Sequence, residues 1–249
     1  MKIYEFLALS RSGHHTVVNW VIKNTIGVQC DWTYKLTEFG TNGLFYLNEA
    51  NHDIPLSFQF INEKKDKIKK LYLNYEDTPA SYTLFNNEKE YKGPMSMNID
   101  GINHTDFVRR VIIVRDFYNL LSSRLKANEK IMFKKRDGSP HLFQVSEKFI
   151  YRWKSHAKSC LYNNTPYLKF EDWLNNKDVR EQFLYENFGL FDNYGIKDIA
   201  GTDSSFDSHK GVENRINQIE IPEEIKELIK KDNELHYLMG ALGYEYKEI

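Results

Sequence analysis

Ser10-Arg11-Ser12-Gly13-His14-His15 stands between an apolar run, Ile3 to Leu9, and a helix-like run from His14 to Asn24. A strand, a short polar loop and a helix together form a cradle for an anion. Backbone N–H groups at a helix N-terminus point outward, and the helix dipole favours negative charge there. Gly13 permits close backbone approach. Arg11 adds a cation with forked donors, near where a nucleotide-binding loop carries lysine; the Walker spacing itself is absent. Two other stretches suit the same chemistry. Arg115 ends an aliphatic run, Asp116 follows as a helix N-cap, and Ser123 lies eight residues beyond Arg115, about two helical turns on. An arginine at a strand end and a hydroxyl on the following helix would grip one phosphate from two sides. Ser208-His209-Lys210-Gly211, followed by Arg215, sets a point charge beside an unhindered backbone N–H.

Strands and helices must position these groups. Ile3 to Leu9, Leu71 to Pro79, Arg109 to Asp116 and Pro166 to Leu174 read as strands, and residues 30 to 62 as an irregular aromatic-rich stretch. Glu63 to Lys70 is a charge run suited to a solvated helix or turn. Phe117 to Asn128 carries apolar residues at 117, 120, 121 and 125, a helical stripe. Gln144 to Tyr162, Asp178 to Asn187 and Pro222 to Leu242 read as further helices, the last with Pro at its start and Gly243 past its end. Alternating strands and helices predict an α/β fold of three layers, a mostly parallel central sheet flanked by helices. Ligands of such sheets bind beyond the C-terminal strand ends. Those ends are Ser10-Arg11, Tyr75-Glu76-Asp77, Arg115-Asp116 and Phe170-Glu171-Asp172, each polar or charged.

The chain has 249 residues and a net charge of -1. Nothing global therefore favours nucleic acid or a membrane surface as a partner, and an anion site must be a local cluster. Cys30 and Cys160 lie far apart and match no disulfide or metal pattern; no metal is expected. No run reaches transmembrane length. The first strand begins at Ile3, which leaves no room for a signal peptide, so a cytoplasmic location is expected. Without repeats or a low-complexity linker, residues 1–249 are expected to form a single domain.

Arg-Ser-Gly after the first strand, Arg-Asp-x-x-Asn-x-x-x-Ser after a later strand and Lys-Gly in a late loop together resemble the sulfotransferases that use 3′-phosphoadenosine 5′-phosphosulfate (PAPS). The resemblance spans roughly residues 3 to 215, and the Arg115-to-Ser123 spacing is its most specific part. It implies a P-loop-NTPase-like sulfotransferase fold. It places the 5′-phosphosulfate loop on Arg11, Ser12, Gly13, His14, His15 and Thr16. The 3′-phosphate contacts fall on Arg115 and Ser123, and the late motif on His209, Lys210 and Gly211. Arginine at position 11 is similar to carbohydrate-type and bacterial members; cytosolic aryl sulfotransferases carry lysine there. Phe117 replaces the family's usual proline. His209 replaces an arginine, and the second glycine and the tryptophan of the late motif are missing.

Transfer of a sulfuryl group makes demands similar to phosphoryl transfer: positioning, and stabilisation of charge on the moving group and the leaving phosphate. Arg11 would bridge those two groups, with the N–H groups of Ser12 to Thr16 on the same oxygens. The acceptor, a hydroxyl or amine of a small molecule or a glycan, needs a general base. Glu76 and Asp77, at the end of the second strand, come first; His14, His15 and His104 are the other candidates. Residues 30–62 and 82–103 form the expected acceptor-side insertions, with Trp32, Tyr34, Phe45 and Tyr46 able to stack on a ring. Two rival functions share this architecture. A P-loop nucleotide kinase would want a Walker lysine and a magnesium ligand. A noncatalytic module would bind PAPS or its product, 3′-phosphoadenosine 5′-phosphate (PAP), without transfer.

Overall fold

The computed structural model describes residues 2–26, 36–39, 44–49, 66–67, 69–77, 107–129, 138–140, 142–143, 145–196 and 220–249. The strands are β1 (Lys2–Ala8), β2 (Leu36–Phe39), β3 (Leu44–Glu49), β4 (Lys70–Glu76), β5 (Phe107–Val114) and β6 (Tyr167–Lys169). The helices among the described residues are α1 (His14–Ile26), α2 (Phe117–Glu129), α3 (Glu147–Tyr162), α4 (Phe170–Asn175), α5 (Lys177–Phe188), α6 (Glu223–Lys231) and α7 (Asn233–Ala241).

The strands form one sheet in the order β2-β3-β4-β1-β5-β6. All neighbours run parallel except β2, which closes the edge antiparallel to β3. Side chains alternate across β1. Tyr4, Phe6 and Ala8 pack with Val17, Val21, Trp173 and Leu184 from α1, α4 and α5. Leu7 and Leu9 pack on the other face with Leu121, Trp153, Ile229 and Leu238 from α2, α3, α6 and α7. The molecule is thus the three-layer α/β fold with a mostly parallel sheet that the alternation of elements implies. Burying both sheet faces is what makes β1 and β5 nearly continuous apolar runs.

Glu5 interrupts the apolar run of β1 and is fully buried. Strand register sets it beside Arg110, whose Nε and Nη2 both reach Glu5 Oε2 at 2.8 Å. The Tyr75 hydroxyl donates to Oε1 at 3.4 Å. The charge is tolerated because it is paired and hydrogen-bonded at once.

Several boundaries differ from the sequence reading. Residues 30–62 are not wholly irregular: 36–39 and 44–49 form a hairpin that extends the sheet. The strand expected over Pro166–Leu174 stops at Lys169, and Phe170–Asn175 is helical, which buries Phe170 and Trp173. The C-terminal helix is two helices. Asp232 ends α6 and caps α7, its side chain accepting from the Leu235 N–H at 2.9 Å and from Lys154 Nζ at 2.7 Å. Capping and the ion pair stabilise a break that helical periodicity alone does not reveal.

Candidate functional site

Strand order gathers the four predicted strand ends on one rim. β1 lies between β4 and β5, and β6 follows β5. Register sets Ala8 beside Glu76 on one side and beside Ile113 on the other. The loop after β1 is therefore flanked by Asp77 and by Arg115, with Glu171 beyond.

The loop is tightly closed. The Ser12 N–H donates to the Leu9 carbonyl at 2.9 Å, and the Thr16 N–H to the Gly13 carbonyl at 3.1 Å. These two amides, expected to face the anion, serve the loop itself. The Ser12 hydroxyl lies 3.2 Å from His14 Nδ1, and the His14 and His15 rings sit 4.0 Å apart at 38°. Arg11 has φ 75, the left-handed region that L residues other than Asn and Asp seldom occupy. Its guanidinium lies 5.8 Å from the Phe143 ring centre, within cation–π range. Gly13 also has a positive φ, +82, and a Cβ there would overlap the Phe170 ring. Close packing by Phe170 is thus a second reason for glycine, beside approach to an anion.

Arg115 leaves the end of β5 and is 4% exposed. Its Nη1 donates to the Arg11 carbonyl at 2.8 Å, its guanidinium lies 5.0 Å from the Phe170 ring centre, and its Nε is 3.8 Å from Glu171 Oε1. The carbonyl of Arg115 accepts from the Trp153 indole at 3.0 Å. The first two predicted motifs therefore meet. Ser123 is also buried, on α2.

Asp116 caps α2, its Oδ1 accepting from the Asn119 N–H at 2.8 Å, as its position predicts. Glu171 accepts from the Asp116 N–H at 3.3 Å and from the Tyr244 hydroxyl at 3.3 Å. Burial pushes the Glu171 carboxyl above the usual carboxylate range, and Arg115 only partly offsets it. Burial likewise raises Asp116. Burial, then the nearby Glu171 charge, drives the Tyr244 phenol well up, so it stays protonated and donates.

Asp77 Oδ1 accepts from the Ser10 N–H at 3.1 Å and pairs with Arg124 Nη2. Arg124 is the residue that sequence reasoning passes over. It follows Ser123 on the helix whose apolar stripe is Phe117, Leu120, Leu121 and Leu125; it is fully buried and donates from Nε to the Ser10 carbonyl at 3.2 Å. An arginine in phase with Leu120 and Leu121 was the available signal.

The Glu76 side chain, His104, Lys210, Gly211 and most of the expected acceptor wall lie outside the described residues. Among the described residues, no group of three or more His, Cys, Asp or Glu could hold a metal ion. No described helix is long and apolar enough to cross a membrane. No family model and no curated protein matches this chain.

Proposed function

We propose that this chain is a sulfotransferase of P-loop-like fold, which moves the sulfuryl group of PAPS to a hydroxyl or amine acceptor. Carbohydrates are the acceptor class to which arginine at position 11 points. The observation that carries the reading is the meeting of Arg115 with the Arg11 carbonyl at 2.8 Å. One contact joins the candidate 5′-phosphosulfate loop to the candidate 3′-phosphate residue, on the rim where sheets of this kind bind ligands.

In the proposed reaction the acceptor oxygen or nitrogen attacks sulfur in line. The bond from sulfur to the 5′-phosphate oxygen breaks, and PAP leaves with the electron pair. Glu76 takes the acceptor proton. Arg11 and the N-terminus of α1 meet the charge on the moving group and the leaving phosphate. His14 and His15 flank the same loop. Arg115 and Ser123 bind the 3′-phosphate. Lys210 and Gly211 would add a further phosphate contact.

A thermal-shift comparison of PAP, ATP with magnesium, and adenosine 5′-phosphate tests the reading. At a concentration about a hundredfold over Kd, a ligand binding only the folded state raises Tm by about 5 °C or more. PAP alone is expected to do so. A larger shift with ATP and magnesium would favour a kinase, and no shift with PAP would end the proposal.

A further inference from the structure

We infer that the ion pair of fully buried Arg124 with half-buried Asp77 is a clamp on the backbone at Ser10, which makes both side chains positioning residues for Arg11. The inference rests on the sulfotransferase reading for what Arg11 does; the clamp itself rests on geometry.

Both peptide groups of Ser10 are held by one ion pair. Its N–H donates to Asp77 Oδ1 at 3.1 Å. Its carbonyl accepts from Arg124 Nε at 3.2 Å. Arg124 Nη2 closes the ring on the same Asp77 oxygen. The Asp77 N–H adds a tie to the Ala8 carbonyl at 3.0 Å. Arg115 then holds the next carbonyl, that of Arg11, at 2.8 Å. The chain is gripped on both sides of the Arg11 Cα.

The backbone conformation calls for such a grip. Arg11 and Asp77 both have positive φ, 75 and 52. Aspartate tolerates this region, but an arginine persists there only where its surroundings over-determine it. The ion pair is set in apolar packing: Arg124 is fully buried, and its guanidinium lies 4.6 Å from the Phe149 ring centre and 6.0 Å from that of Phe143. Arg11 lies over the same Phe143 ring. A buried ion pair adds little net stability over an apolar substitute. What it supplies here is direction, because charged groups tolerate few alternative geometries once desolvated. A preorganised cation is what charge stabilisation in a transfer step requires.

Two variants test the clamp, Asp77→Asn and Arg124→Lys, each accepted only with wild-type circular dichroism; if one does not fold, the other carries the test. The first readout needs no ligand: amide hydrogen exchange across residues 10–16. Breaking charge-assisted bonds to Ser10 should speed exchange there about tenfold, with the core of the sheet unchanged. Unchanged loop exchange, or a uniform rise over the whole sheet, would overturn the clamp. The second readout is the affinity ratio of PAP to adenosine 3′-phosphate, which lacks the 5′-phosphate. A loosened loop should shrink that ratio about tenfold while adenosine 3′-phosphate binds as before, which a general loss of stability would not do. An unchanged ratio in a variant with fast loop exchange would overturn the link to Arg11. If wild-type protein shows no preference for PAP, the sulfotransferase reading fails, and the exchange pattern alone then decides the clamp.

Discussion

Arg115 donates from Nη1 to the carbonyl oxygen of Arg11 at 2.8 Å, so the strand end of β5 fixes the loop that follows β1. The same guanidinium faces Glu171. Arg115→Lys keeps the charge and loses the fork. One ammonium cannot hold the Arg11 carbonyl and bind a phosphate as the planar group does. PAP affinity is expected to fall at least about tenfold, with adenosine 5′-phosphate affinity falling much less. Calorimetric titration of both ligands checks this, and equal losses would remove Arg115 from the 3′-phosphate.

Arg11→Ala removes the cation at the head of the loop and leaves its carbonyl in place for Arg115. Turnover with PAPS is expected to fall about a hundredfold or more. Steady-state rates under saturating donor measure it. Unimpaired turnover would take Arg11 out of the transfer step.

Gly13→Ala meets two separate costs. The left-handed backbone at φ +82 disfavours a Cβ, and the added carbon would overlap the Phe170 ring. Together these should destabilise the fold by about 2–4 kcal/mol. Gly13→Ala combined with Phe170→Leu should recover the packing part only. Urea midpoints of the two proteins separate the terms. Full recovery in the double variant would mean that the backbone is not strained.

The strand ends were legible in the sequence because both faces of the sheet are buried. Val111 to Val114 could hardly be anything but a central strand, and Arg115-Asp116 had to end it. The hairpin over 36–39 and 44–49 was harder to read. Its strands have only 4 and 6 residues, and the adjacent aromatics Phe45-Tyr46 break the alternation in the sequence, although Asn42-Gly43 is a hairpin signal. The division of α6 from α7 was hidden because Ile225, Ile229, Leu235 and Leu238 stay apolar across the break. Of the candidate site, the strand-loop-helix order around Ser10–Gly13 and the place of Arg115 at a neighbouring strand end could be read from type and spacing. The roles of Arg124 and Glu171 could not, since burial beside a charge partner is a property of packing between elements distant in sequence.

Glu171 gives the fold a pH dependence. Burial raises its folded-state carboxyl above the unfolded value, with Arg115 opposing. Its contribution is therefore fully present below the unfolded value, about pH 4, and is lost as pH rises through the folded value. Glu171→Gln cannot titrate. The stability of wild type relative to the variant should decline as pH rises above about 4. Urea unfolding of both proteins between pH 4 and 8 measures the difference. A difference that grows with pH would mean that Arg115, not burial, dominates this carboxyl.

Asp192 has the opposite sign, and it anchors the helix behind the loop. Its Oδ1 accepts from the Trp20 indole at 2.9 Å, the Gly195 N–H at 2.8 Å and the Asn24 amide at 3.3 Å. Its Oδ2 lies 3.3 Å from Arg180 Nε. Burial pushes this carboxyl up, but the hydrogen bonds from Trp20, Gly195, Arg180 and Asn24 together hold it below the usual range. A lowered carboxylate contributes stability that is present above the unfolded value and is lost as pH falls through the folded one. Asp192→Asn keeps the shape and leaves the buried Arg180 without its counter-charge. The expected loss at neutral pH is about 3 kcal/mol, shrinking as pH falls below about 4. Denaturant unfolding at pH 7 and pH 3 checks both parts. An equal loss at the two pH values would show that the ionised carboxylate of Asp192 is not the source of the stabilisation.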